Sequence, residues 1–115
     1  MAITEPFAVS ETITTTEHSL TTDTAGPDAE TSDGVFQVFL DLNALAAGDV
    51  FDFAVYEKVQ SSSTQRKIFT ARFAGVQAQP VWVSPSLILM HGWDATLKKI
   101  SGTDRAIDTS IRKVA

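Results

Sequence analysis

The clearest pattern in the chain is alternation. From Gly34 onward, Phe36, Val38, Leu40 and Leu42 alternate with Gln37, Phe39 and Asp41, the period of two that marks a half-buried strand. Phe51, Phe53 and Val55 alternate with Asp52, Ala54 and Tyr56 in the same way. Arg66–Phe73 sets Phe69, Ala71 and Phe73 on one face and Arg66, Ile68, Thr70 and Arg72 on the other. Trp93, Ala95 and Leu97 alternate with Asp94, Thr96 and Lys98, and Arg105–Val114 closes the chain with Ile107 and Ile111 inward. Between the first two of these strands, Asn43–Gly48 predicts one helical turn, with Asn43 as N-cap and Gly48 as stop.

The remaining segments carry weaker signals. Ser10–Leu20 is rich in β-branched Thr and reads as a strand with Ile13 inward. Thr21–Asp33, with Gly26-Pro27, reads as a loop. Residues 1–9 show no useful alternation and predict an extended N-terminal arm, set apart from a domain over residues 10–115 and mobile until it docks. Val81–Val83, bracketed by Pro80 and Pro85, belongs at a sheet margin. Ser86–Met90 is almost wholly apolar, so it is either covered on both faces or packed against another subunit. The sum is seven or eight short strands and no amphipathic helix of normal length. This predicts an all-β chain folded as a single β-sandwich or jelly-roll-like domain, with a small barrel as the other arrangement of such strands.

Some apolar positions exceed what one core can use. Val35 and Phe39 lie on the face opposite Phe36, Val38 and Leu40, which predicts burial against a sister subunit, in a homotrimer or, failing that, a dimer. In the arm, Ile3, Phe7 and Val9 are the apolar residues available for a partner, with Phe7 as an aromatic anchor. Trp82 is a core or interface anchor.

Composition narrows the chemistry. The 115 residues contain no cysteine, which excludes disulfides, thiolate metal sites and cysteine nucleophiles. No apolar run approaches the length of a membrane-spanning helix. Residues 1–9 lack the basic start and apolar core of a signal peptide, so a bacterial or viral cytosolic product is expected. The formal net charge is −5, but residues 1–57 hold eleven acids and no Lys or Arg, whereas residues 58–115 hold all nine bases and three acids. Halves so opposed suggest acidic strands beside basic ones, within one chain or between copies. An acidic total without basic–aromatic interleaving speaks against a nucleic-acid partner.

Three constellations bear on function. His91 and Asp94 have the residue types of a base and its orienting carboxylate, but strand positions three apart face opposite ways, and no nucleophile motif accompanies them. Asp41, Asp49 and Asp52 flank one strand–turn–strand unit and could meet at its end to hold Ca²⁺, without a regular calcium-loop spacing. Trp82 and Trp93 have the chemistry to stack on a sugar, although two Trp in a small β-domain are more often core or interface anchors. The reading is a non-enzyme with no metal and no cofactor.

Two stretches also carry a resemblance. Asp33–Val59 (DGVFQVFLDLNALAAGDVFDFAVYEKV) and Gln79–Val114 (QPVWVSPSLILMHGWDATLKKISGTDRAIDTSIRKV) resemble small virion structural proteins of tailed bacteriophages. The matching texture is the ALAAGD turn, the WVSPS…HGWD block and the GTDR turn before the final strand; it spans most of the chain after Asp33, and the N-terminal arm has no match. The resemblance brings no catalytic motif. It implies a capsid decoration, or cement, protein that binds the major capsid protein on the outside of the shell, at the virion surface, as a homotrimer. The alternatives are another virion part, such as a tail or head–tail connector subunit, and a stand-alone carbohydrate- or peptide-binding module. Tube and connector subunits usually carry a helix packed on the sheet, and no segment here predicts one.

Overall fold

The computed structural model describes residues 2–114 and contains nine strands and no helix among them. They are β1 (Ile3–Ile13), β2 (His18–Ser19), β3 (Gly34–Asp41), β4 (Val50–Glu57), β5 (Arg66–Ala74), β6 (Val81–Val83), β7 (Leu87–Leu89), β8 (Asp94–Ser101) and β9 (Arg105–Val114). Sheet A has the order β1-β9-β3, with β6 and β7 sharing the far edge of β3. Sheet B has the order β2-β8-β4-β5, and every pair in both sheets is antiparallel. The two sheets face each other as a β-sandwich.

Alternation makes the core. Phe36, Val38, Leu40, Ile107 and Ile111 of sheet A meet Phe51, Phe53, Val55, Ala95 and Leu97 of sheet B, all of them buried. Trp93 lies fully inside, its ring centroid 4.6 Å from that of Phe36, and its indole N–H donates to Ser32 O at 2.7 Å. At the β5 side, Trp82 packs against Phe53 and Phe73 at 5.3 and 5.2 Å and stacks on Phe69 at 6.3 Å. Burying such rings is the largest apolar contribution in a domain of this size.

Each ladder joins the two halves of the sequence. β1 to β4 all come from residues 1–57 and β5 to β9 from residues 66–114, and every pairing takes one strand from each set. Asp52 therefore lies between Arg72 and Lys98, and Glu57 faces Arg66. The strong charge asymmetry along the sequence becomes interleaved in the sheets, as cross-strand pairing of opposite charges favours.

Three expectations are corrected. Residues 3–9 are no separate arm: they open β1, which pairs with β9 from Ile3↔Val114 to Ile13↔Arg105. Glu5 and Pro6 together oppose the single residue Arg112, a bulge that absorbs the proline and returns Phe7 and Val9 to the inward phase. Asn43–Gly48 is not helical but holds two successive turns, closed by Leu45 N–H to Leu42 O and Asp49 N–H to Ala46 O. The Asp49 carboxylate takes the Ala46 amide at 2.9 Å, and the chain turns out instead of continuing. The expected Thr-rich strand over Ser10–Leu20 is split: its first part belongs to β1, and its end forms the two-residue β2.

The Thr21–Asp33 loop is fastened to sheet B by one buried carboxylate. Asp94 accepts from Ser19 Oγ at 3.0 Å, Thr21 Oγ1 at 2.8 Å, the Asp28 amide at 2.7 Å and its own neighbour Ala95 N–H at 2.9 Å. A buried charge needs such saturation to be tolerated.

Candidate interaction surface

The outward residues of sheet A form ordered rows across the strands. Register pairs Ile3 with Val114, Val114 with Val35, and Val35 with Ile88. Four strands thus contribute one aliphatic row, in which Ile3 is 67% and Ile88 81% exposed. Further along, Ser110 faces Phe39 and Phe39 faces Val83; next come Asp108, Asp41 and Val81. A shallow concavity of about 170 Å³ lies between the first rows, lined by Ile3, Val35, Gln37, Phe39, Arg112 and Val114. The Arg112 guanidinium covers the Phe39 ring at 3.8 Å, and its Nε donates to Ser110 Oγ at 3.3 Å. Single exposed aliphatic residues are ordinary on a monomer, and here four of them form one continuous row across the sheet.

The residues expected to bind a partner divide here. Ile3, Val35 and Phe39 share this outer face. Phe7 and Val9 point inward instead: Phe7 packs edge-on against Trp93 at 5.9 Å, and Val9 is buried. Trp82 also serves the core, half-buried in the aromatic cluster with Phe53, Phe69 and Phe73. Val114, Ile88 and Val83 were not singled out from sequence. The signal for Val114 lay in β9 itself, where inward Ile107 and Ile111 send Arg112 and Val114 outward.

The sheet edges are protected. β2, β6 and β7 have two or three residues each. β1 carries Pro6 in its bulge, and β5 carries a bulge at Ile68 beside Arg66 and Lys67. Short strands, bulges, proline and charge all oppose edge-to-edge pairing.

The candidate chemical groups do not converge. Asp49 is buried at the far end of the sandwich, where it accepts from Arg105 Nε at 2.7 Å and from the Thr103 and Ala46 amides at 2.9 Å each. These donors, the two amides first, lower its pKa to about 2. Asp52 accepts from Arg72 Nε at 2.6 Å and Nη2 at 2.8 Å, which lowers its pKa as well. Asp41 stands apart on the outer face of sheet A. Among the described residues, no group of three His, Cys, Asp or Glu is placed to hold a metal ion. Asp94 is enclosed by the loop it fastens, and its hydrogen-bond partners do not include His91.

Tyr56 and Glu17 form the remaining polar centre. Tyr56 Oη and Thr96 Oγ1 both donate to Glu17 Oε2 at 2.6 Å, pinning the β1–β2 bend onto sheet B. Burial, and then the Glu17 carboxylate, push the Tyr56 pKa far above its ordinary value. The arrangement ties the β1–β2 bend to β4 and β8.

Comparison with protein-family models, with curated proteins and with solved structures finds no match. The resemblance to phage virion proteins rests on the two sequence blocks alone.

Proposed function

We propose that the protein is a non-catalytic assembly component: a bacteriophage capsid decoration protein that binds the major capsid protein on the outside of the shell, acts at the virion surface, and associates as a homotrimer. The observation that carries an assembly role is the aliphatic row Ile3–Val114–Val35–Ile88 on an otherwise finished sandwich. Such a face needs a protein partner, and a domain of this kind needs no chemistry to act as cement. The virion assignment comes from the DGVFQV…YEKV and QPVWVS…IRKV blocks. The absence of any helix among the described residues favours a decoration role over a tube or connector subunit.

With Phe7 and Val9 committed to the core, attachment to the shell falls to exposed groups, of which the Thr21–Asp33 loop is the largest. Several weak contacts per trimer suffice, because each contact raises the effective concentration of the next. The test is co-sedimentation of purified protein with undecorated phage heads, alongside the copy number in whole particles. Saturable binding with hundreds of copies per particle is expected. A few copies per particle would move the protein to the neck or tail. No binding to any particle would end the virion reading.

A further inference from the structure

One pair of residues breaks the charge rule of the strand pairing. Where sheet B sets Asp52 between Arg72 and Lys98, sheet A sets Asp41 directly opposite Asp108. Both are exposed, and neither belongs to any ion pair formed among the described residues. Like charges facing across a ladder are unfavourable in an isolated sheet. Glu5 adds a third carboxylate to this face, held by Ser110 Oγ, and the one cation, Arg112, is engaged by Phe39. Beside the acidic pair stand Val81, paired with Asp41, and Val83, both exposed.

The outer face of sheet B has the reverse character. Lys67, Arg72 and Lys98 project from it, with Asp52 between the last two. Between Lys67 and Arg72 lies a hollow of about 310 Å³ floored by Ala54, Thr70 and Ala71. One face thus offers three carboxylates to one cation beside aliphatic residues, and the other, away from Glu17 and the loop over Asp94, offers Lys67, Arg72 and Lys98 with Asp52 around a small-residue hollow.

We propose that the outer face of sheet A docks on the outer face of sheet B of a second copy of this chain. The proposal deepens the reading of sheet A as an assembly surface and names its occupant. Lys67 and Lys98 of one copy meet Asp41 and Asp108 of the next, and Val81 enters the hollow. Packing sheet A on itself fits worse. A two-fold axis along the strands would bring the acidic pair onto its own copy, and an axis across them would press the aliphatic row onto the acids. Edge pairing is opposed by the bulges, Pro6 and the charges already described. A head-to-tail contact leaves one free face of each kind on every growing end, so copies close into a ring or continue as a filament.

The experiment is sedimentation of the full chain in solution, without capsids, so that its outcome is independent of shell binding. The wild type should associate, and association should weaken at least about tenfold from low to high salt as screening shortens the reach of the charges. Asp41→Lys/Asp108→Lys and Lys67→Glu/Lys98→Glu should each be monomeric. Mixed, they should associate again, because the intact pair of faces and the reversed pair are each complementary. The chain carrying all four reversals should associate with itself again. A wild type that stays monomeric at about 1 mM overturns the proposal, since even a weak specific contact is populated there. So does a double variant that keeps full association, or a mixture that stays monomeric although circular dichroism shows both variants folded. If either variant fails to fold, salt-independent association of the wild type overturns it alone.

Discussion

Ser84 Oγ accepts the backbone N–H of Val38 at 2.9 Å, in the gap where the edge of sheet A passes from β6 to β7. The Ser84 amide donates to Val38 O at 2.9 Å, so one residue supplies both halves of a missing ladder pair. A hydroxyl does this where β6 has ended, next to Pro85, so that no strand amide continues. Ser84→Ala should destabilise the domain by about 1–3 kcal/mol, the cost of a buried amide left without an acceptor. Urea unfolding of the two proteins measures it, and an unchanged midpoint would show that the gap is satisfied some other way.

Asp49 makes acid stability predictable in sign. Its pKa is about 2 in the folded protein against an ordinary value of 3.8. A lowered carboxylate pKa contributes stability that is complete above the unfolded value and is lost as pH falls through the folded one. The contribution of Asp49 should therefore be present at pH 5 and decline from about pH 4 towards pH 2. Asp49→Asn should be less stable than wild type at neutral pH, with the difference narrowing across that window. A constant difference would mean that the ionised form is not what Arg105 and the two amides hold.

Much of the sandwich was legible because its inward residues obey a strict period. Phe36, Val38, Leu40, Phe51, Phe53, Val55, Phe73, Leu97, Ile107 and Ile111 were expected inside and are buried, while Phe69 is only half-buried at the open β5 edge. β1 was hidden because Pro6 breaks the period, and only the pairing with β9 shows that the bulge restores it. The aliphatic row was hidden for another reason. Ile3, Val114, Val35 and Ile88 lie far apart in sequence, and only register makes them neighbours. Val35 was noticed because Phe36 beside it had to point the other way.

The chain has a single tyrosine, so its titration reads one site. Burial and Glu17 hold Tyr56 protonated well above its ordinary pKa of 10.0. A raised pKa contributes stability below the unfolded value that is lost as pH rises beyond it. Tyrosinate absorbance should stay absent through about pH 10 to 11 and then appear together with unfolding. Free ionisation of the folded protein near pH 10 would show that the Glu17 contact is loose in solution.

Phe7 and Ile88 should separate stability from association. Phe7→Ala removes a half-buried ring from Trp93 and should destabilise by about 1–3 kcal/mol, with altered tryptophan fluorescence. Ile88→Ser alters a side chain that is 81% exposed and should leave unfolding within about 0.5 kcal/mol of wild type. It should nevertheless reduce self-association or shell binding. If Phe7→Ala instead left stability intact and abolished binding, the N-terminal strand would have to detach to act.

The rule that every ladder joins the two halves of the sequence also sets an order of events during synthesis. While residues 1–57 emerge, four strand segments exist and none has a partner. Sheet B can close once β8 appears, since β4 then has neighbours on both sides. Sheet A has no centre until β9 emerges, because β9 is the strand to which both β1 and β3 attach. Nearly the whole chain must be looped to join Ile3 to Val114, which makes the last step slow. Until then the acidic half is unpaired, and the mutual repulsion of its eleven carboxylates opposes association between such chains.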